Sequence, residues 1–144
     1  MTHGSHDTGR DTASTRTVNQ TVALVFGAIY TLVGLAGFFV SETFAEQTDN
    51  NLLGIFQVNN LHNIVHLLIG VALIAASRRL DTARGANLAI GATYLVLGVI
   101  GWFIQDTNAN IIALNEADHL LHLASGAVLL GVALAADKRN RSRV

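Results

Sequence analysis

Polar and apolar positions in this chain separate into blocks. Four long apolar stretches, roughly residues 21–40, 61–77, 86–104 and 117–136, alternate with short polar connections. A bilayer core about 30 Å thick needs roughly 20 helical residues, with a working range of about 17–25. The first, third and fourth stretches fit directly. The second fits if its helix begins near Asn59 and carries its histidines in the outer part. A soluble amphipathic helix needs a polar face, and residues 67–76 and 95–104 offer none. The pattern therefore predicts an all-α membrane protein with four transmembrane helices. Residues 1–20 read as a flexible cytoplasmic tail, 21–136 as the membrane domain, and 137–144 as a basic cytoplasmic tail. The polar tail lacks a basic n-region and Phe38-Phe39-Val40 is no small-residue cleavage site, so the first span is read as uncleaved.

The blocks repeat. Residues 58–70 align with 114–126, matching Asn59 with Asn115, His66 with His122 and Gly70 with Gly126. In the preceding spans Gly27, Tyr30, Gly34, Gly37 and Phe39 align with Gly91, Tyr94, Gly98, Gly101 and Phe103. The unit is a span, a connection and a histidine span, used twice, at about 21–77 and 86–136. A two-span unit returns to its starting side, so both copies share one orientation. The expected relation is a pseudo-two-fold axis along the membrane normal. Gly27, Gly34, Gly37, Gly91, Gly98 and Gly101 form heptad-like stripes. Small residues let helices approach closely in lipid, where packing replaces the hydrophobic drive, so these stripes are assigned to helix packing.

Charge sets the orientation. The first and third connections carry acids and no Lys or Arg. The second carries Arg78, Arg79 and Arg84, and the C-terminal tail carries Lys138, Arg139, Arg141 and Arg143. Basic residues mark the cytoplasmic side. Both termini are expected inside a cell membrane, with the histidine segments at the outer end of the second and fourth spans.

Those segments carry the candidate chemistry. Asn59, His62, Asn63, His66 and Gly70 share one helix face about 100° wide, as do Asn115, Asp118, His119, His122 and Gly126. Asn59 and Asn115 suit N-caps, and Asp118 lies where a helix dipole favours a carboxylate. His66 and His122 lie seven residues past the caps, roughly 10 Å down the axis. Lipid is a poor neighbour for imidazole, so both are expected to face the bundle interior.

Three readings remain open for this stripe. In the first, neutral histidines hydrogen-bond neighbouring polar groups and hold the helices together. In the second they bind a cofactor: a haem between His66 and His122, or a divalent metal drawn from His62, His66, His122, Asp118 and His119. In the third they shuttle protons or small solutes, which four short spans could do only as an oligomer. The first makes the chain a structural or accessory membrane protein, and that is the leading expectation.

Composition narrows the rest. Half the residues are hydrophobic (51%) and 13% charged, against about 25% charged in soluble domains. The absence of cysteine excludes thiolate ligands and cysteine nucleophiles. No catalytic residue is assigned: Ser125 lacks a nucleophile motif, and no His-Glu-x-x-His segment occurs. A net charge of −1, with bases confined to the connections and tails expected inside, argues against nucleic-acid binding. The partners expected are the lipid bilayer and, beyond it, a second copy or a membrane-complex partner. His3 and His6 lie in the N-terminal tail with no supporting ligand pattern.

The segment 53–70, Leu-Gly-Ile-Phe-Gln-Val-Asn-Asn-Leu-His-Asn-Ile-Val-His-Leu-Leu-Ile-Gly, resembles the signature of a family of small four-span bacterial membrane proteins, domain of unknown function 4383. The resemblance runs from the first span to the fourth. It implies a four-helix protein of the cell envelope and no established activity, substrate or cofactor. This chain departs from the pattern in two places, with Asn60 at a proline position and His119 at an asparagine position. That makes His62, His66 and His122 the better members of any family-wide site.

Overall fold

The computed structural model describes residues 15–137 of the 144-residue chain. Most of the expected N-terminal tail and nearly all of the basic C-terminal tail, with His3 and His6, lie outside the described residues. Four helices carry the described fold: α1 (Val18–Gly37), α2 (Asn60–Ala76), α3 (Leu80–Ile104) and α4 (Glu116–Ala135). The helices α1, α3 and α4 are long and apolar enough to cross a membrane. At 17 residues α2 is shorter, about 26 Å at 1.5 Å per residue.

Local chemistry sets the boundaries. Thr17 caps α1 through a capping box with Gln20, satisfying two free N–H groups reciprocally. Asn59 accepts a hydrogen bond from the His62 N–H at 2.9 Å, and Asn115 accepts one from the Asp118 N–H at 3.1 Å. Asp118 answers by accepting from the Asn115 N–H at 3.1 Å. The third helix begins six residues before the apolar block that announced it: no proline interrupts residues 80–85, Asp81 suits the first turn, and the single Gly85 is carried by the long run that follows. Arg84 thus sits inside α3, where its Nε donates to the Ala133 carbonyl at 2.8 Å. The connection between α2 and α3 is only Ser77, Arg78 and Arg79.

The connection between α1 and α2 holds a two-stranded hairpin, β1 (Asn51–Leu52) and β2 (Phe56–Gln57), with Asn51 opposite Gln57. Its turn uses positive φ at Leu53 (55°) and Gly54 (77°). Gly54 adopts that conformation freely, whereas Leu53 adopts it at a cost.

Helix α1 packs mainly on α2, and α3 on α4. Both contacts are made backbone to backbone. A Cβ added at Gly27 would lie 2.9 Å from the Gly70 carbonyl oxygen and the Ile74 amide nitrogen. One at Gly91 would lie 2.6 Å from the Leu130 nitrogen and 3.0 Å from the Gly126 oxygen. Gly34 abuts the Asn63 carbonyl, and Gly98 abuts Leu123. Gly37 lies against the Asn63 carboxamide and Gly101 against the His119 ring.

The burial pattern is the reverse of a soluble bundle. Large apolar side chains such as Leu32, Leu68, Val96, Phe103 and Leu120 point outward, more than half exposed. Inside, the described buried residues include as many polar as apolar side chains, with Asn19, Asn59, Asn87 and His119 fully covered. Water would penalise such an exterior, while lipid is its natural solvent. The apolar centre is small: Ala23, Tyr30, Leu73, Ala83, Tyr94 and Leu129.

Candidate functional site

The helix openings of α2 and α4 point their polar stripes into the bundle. His62 and His66 are one turn apart on α2 and His122 faces them from α4, all three at 5% exposure or less. One ring nitrogen from each lies within 4.8 Å of the other two. The Nε2 atoms of His62 and His66 are 2.9 Å apart and share a hydrogen bond. The His66 and His122 rings stack at 6.2 Å between centroids, 22° from parallel. Tyr94 meets His122 edge-on at 4.7 Å, Tyr30 meets His66 edge-on at 5.4 Å, and the two tyrosine rings lie 5.3 Å apart. All four helices contribute to this cluster.

The hydrogen bonding of the cluster is incomplete. The Nδ1 atoms of His62, His66 and His122 are buried without a partner. The Tyr30 hydroxyl lies near Ser125 and Tyr94 but forms no well-shaped hydrogen bond. The shared Nε2 contact forces part of this. The donating ring carries its proton on Nε2, so the accepting ring must carry its own on Nδ1. Where His66 accepts, its buried Nδ1–H has no acceptor; His62 lies near the Gln57 and Ile112 carbonyls but forms no well-shaped hydrogen bond to them.

The other stripe residues are placed differently. Asp118 serves the α4 capping box and stands outside the three-histidine group. His119 turns towards α3, with its Nε2 3.0 Å from Gln105 Oε1 and its ring 5.3 Å from that of Trp102. Asn63 donates to Ser41 Oγ at 2.6 Å. Ser41 Oγ in turn donates to the Gly37 carbonyl at the end of α1 at 2.8 Å, so this pair ties the end of α1 to the start of α2.

The cap asparagines do more than cap. Asn59 Nδ2 donates to the Ile111 carbonyl at 2.9 Å and to the Glu46 carbonyl at 3.1 Å. Asn115 Nδ2 donates to the Ile55 carbonyl at 2.8 Å. Each cap thus reaches the connection belonging to the other helix pair. Gln47 adds a further link, donating to the Thr107 carbonyl at 2.9 Å. The Glu46 carboxylate folds back on its own loop, where the N–H groups of Ala45 and Phe44 hold it below the usual carboxylate range. Together the two connections close the end of the bundle over the histidines.

Several polar residues with structural duties gave no signal that drew attention in the sequence. Asn110 spans its loop by donating to the Gln105 and Leu114 carbonyls and accepting from the Leu114 N–H. At the opposite end of the bundle Asn87 donates to the backbone and side chain of Asn19 at 3.0 and 3.1 Å. Asn19 also donates to Asp137 at 3.0 Å, and Asp137 accepts from the Val18 and Asn19 N–H groups at the start of α1. A lone asparagine at the edge of an apolar span was the available clue. The alignment that pairs Gly27 with Gly91 sets Ala83 opposite Asn19 and Asn87 opposite Ala23, so the pair does not register as a repeated motif.

A family model described as "Domain of unknown function (DUF4383)" matches residues 20–135, which span all four helices. The chain belongs to this family. Membership extends the resemblance carried by residues 53–70 to the whole membrane-type domain, and it brings no assigned activity. No curated protein and no solved structure matches the chain.

Proposed function

We propose that this member of the family is a structural or accessory protein of the cell membrane, not an enzyme, in which two helix pairs clamp a polar histidine cluster near the outer face. The observation that carries the reading is the crossing of bonds and rings between the pairs. Asn59 and Asn115 each donate to the connection of the other pair, and His122 of α4 packs on His62 and His66 of α2. In lipid such polar contacts supply a cohesion that apolar side chains cannot. The acceptors Ile55 and Ile111 each stand four residues before the cap asparagine of their own pair, Asn59 and Asn115, and each accepts from the cap of the other pair. That equivalence supports two tandem repeats related by a pseudo-two-fold axis along the membrane normal. The bases of the second connection and the C-terminal tail support cytoplasmic termini.

The proton- or solute-route reading is less well supported. Leu73 and Leu129, both fully buried, lie two turns deeper than His66 and His122. They stand between the histidines and the Asn19–Asn87 pair and fill the axis with apolar carbon. A haem between His66 and His122 would need a flat slot, and His62, Tyr30 and Tyr94 occupy the space around those rings.

The chain has no native cysteine, so single-cysteine labelling in intact cells tests the reading directly. Asp49→Cys should react with an impermeant maleimide from outside, and Asp81→Cys only after the membrane is opened. The reverse pattern would overturn the orientation. In the structural role, His66→Ala and His122→Ala should lower the unfolding temperature while the protein still inserts.

A further inference from the structure

We propose that His62, His66 and His122 form a binding site for one zinc- or copper-class metal ion inside the bundle. The inference deepens the reading of a membrane-embedded histidine cluster and rests on it. Three buried imidazoles from two helices offer nitrogens within 4.8 Å of one another. A tetrahedral centre with bonds of about 2.0–2.1 Å holds its ligands roughly 3.3–3.4 Å apart. The 2.9 Å contact between His62 and His66 and the longer reach to His122 bracket that spacing. Small ring rotations would equalise them.

The state of the hydrogen bonding shows that helix cohesion alone does not account for the cluster. A buried network that serves only to hold helices together is expected to be complete, because each unpaired group in a low-dielectric interior costs free energy. This one leaves a ring nitrogen on all three histidines and the Tyr30 hydroxyl without partners. An ion bound at Nε2 would replace the hydrogen bond between His62 and His66 with two coordinate bonds and set both rings as Nδ1–H tautomers, leaving the Nδ1–H groups as the outward-facing donors of the ligand shell. The donor set selects the ion class. Imidazole without carboxylate suits zinc and copper, and disfavours magnesium, calcium and manganese. Asp118 is committed to the α4 cap and lends no charge, so the ligand shell is neutral. A divalent ion there would favour a hydroxide or water as fourth ligand. A singly charged copper would leave less charge in the interior.

The test uses the full-length chain carrying His3→Ala and His6→Ala, which removes adventitious tail ligands. The protein is purified in detergent, stripped with chelator, and titrated with zinc(II), and with copper(I) under reductant. The expected result is one equivalent of one of these ions, with X-ray absorption showing imidazole nitrogens in the shell. Affinity should fall by more than about a hundredfold in His66→Gln and in His122→Gln, beyond the 10- to 100-fold that losing an outer-shell partner costs. His119→Gln, outside the cluster, should bind as the parent does. Absence of stoichiometric binding by helical, folded protein overturns the proposal. So does binding that survives both His66→Gln and His122→Gln. Cysteine labelling of the same chain in intact cells, before purification, keeps the two readings apart: normal topology without metal removes the metal site and leaves the clamped bundle standing.

Discussion

Gly91→Ala isolates the contact on which the helix pairs depend. The added methyl would meet the Leu130 nitrogen at 2.6 Å, the Gly126 oxygen at 3.0 Å and Leu129 Cβ at 3.1 Å. Comfortable contacts lie at about 3.5–4.0 Å, so the closest approach is short by roughly 1 Å. Two of the three opposing atoms are backbone and cannot rotate away, so α3 and α4 must move apart. Overpacking of this kind costs about 1–3 kcal/mol. The gain in helix propensity on replacing glycine, about 0.8–1.0 kcal/mol, acts in the other direction, so the expected net loss is about 0–2 kcal/mol. Gly131→Ala supplies the control. Gly131 is exposed on α4 with no atom within 4 Å of an added Cβ, so it receives the propensity gain alone. The two variants should therefore differ by about 1–3 kcal/mol in unfolding free energy. Denaturation in mixed micelles, followed by the fluorescence of the single tryptophan Trp102, reads the difference. If Gly91→Ala fell within about 0.5 kcal/mol of Gly131→Ala, a margin ordinary for surface changes, the backbone-tight helix contact would be refuted.

Three further outcomes follow from named contacts. Asn59→Ser should keep the α2 cap but lose the bonds donated to the Glu46 and Ile111 carbonyls, whereas Asn59→Ala should lose about 1 kcal/mol more; equal unfolding free energies for the two would mean that the cap contributes nothing. Leu53→Asn should raise stability by up to about 1 kcal/mol, because asparagine tolerates the left-handed conformation that leucine resists, and a thermal melt that moves down would count against the turn geometry. Asp137 is held below the ordinary aspartate range mainly by the Asn19 N–H, with Val18 adding to it. A depressed carboxylate stabilises above its unfolded pKa and loses that contribution as pH falls through the folded one. Asp137→Asn should therefore be less stable than the parent at neutral pH, with the gap closing below about pH 4; a gap unchanged between pH 7 and pH 3 would show that the charge is irrelevant.

Much of the architecture was legible in the chain because lipid imposes a simple rule. A backbone in hydrocarbon must satisfy its own hydrogen bonds, so long apolar blocks declare helices, and the glycine stripes declare the faces that meet. The N-caps at Asn59 and Asn115 were legible too, since capping is local chemistry. Periodicity placed ten stripe residues on two faces, and the family resemblance favoured His62, His66 and His122 among them. Tertiary packing separated them. His62, His66 and His122 converge, while Asp118 stays with its cap and His119 turns to Gln105 and Trp102. It also recruited Tyr30 and Tyr94 beside the histidines and gave the cap asparagines their second bond across the bundle. The physical reason is one of range. Helix formation and capping depend on neighbours within about four residues, whereas a ring nitrogen's partners depend on the rotation and depth of another helix, which only close packing at Gly27, Gly70, Gly91 and Gly126 fixes.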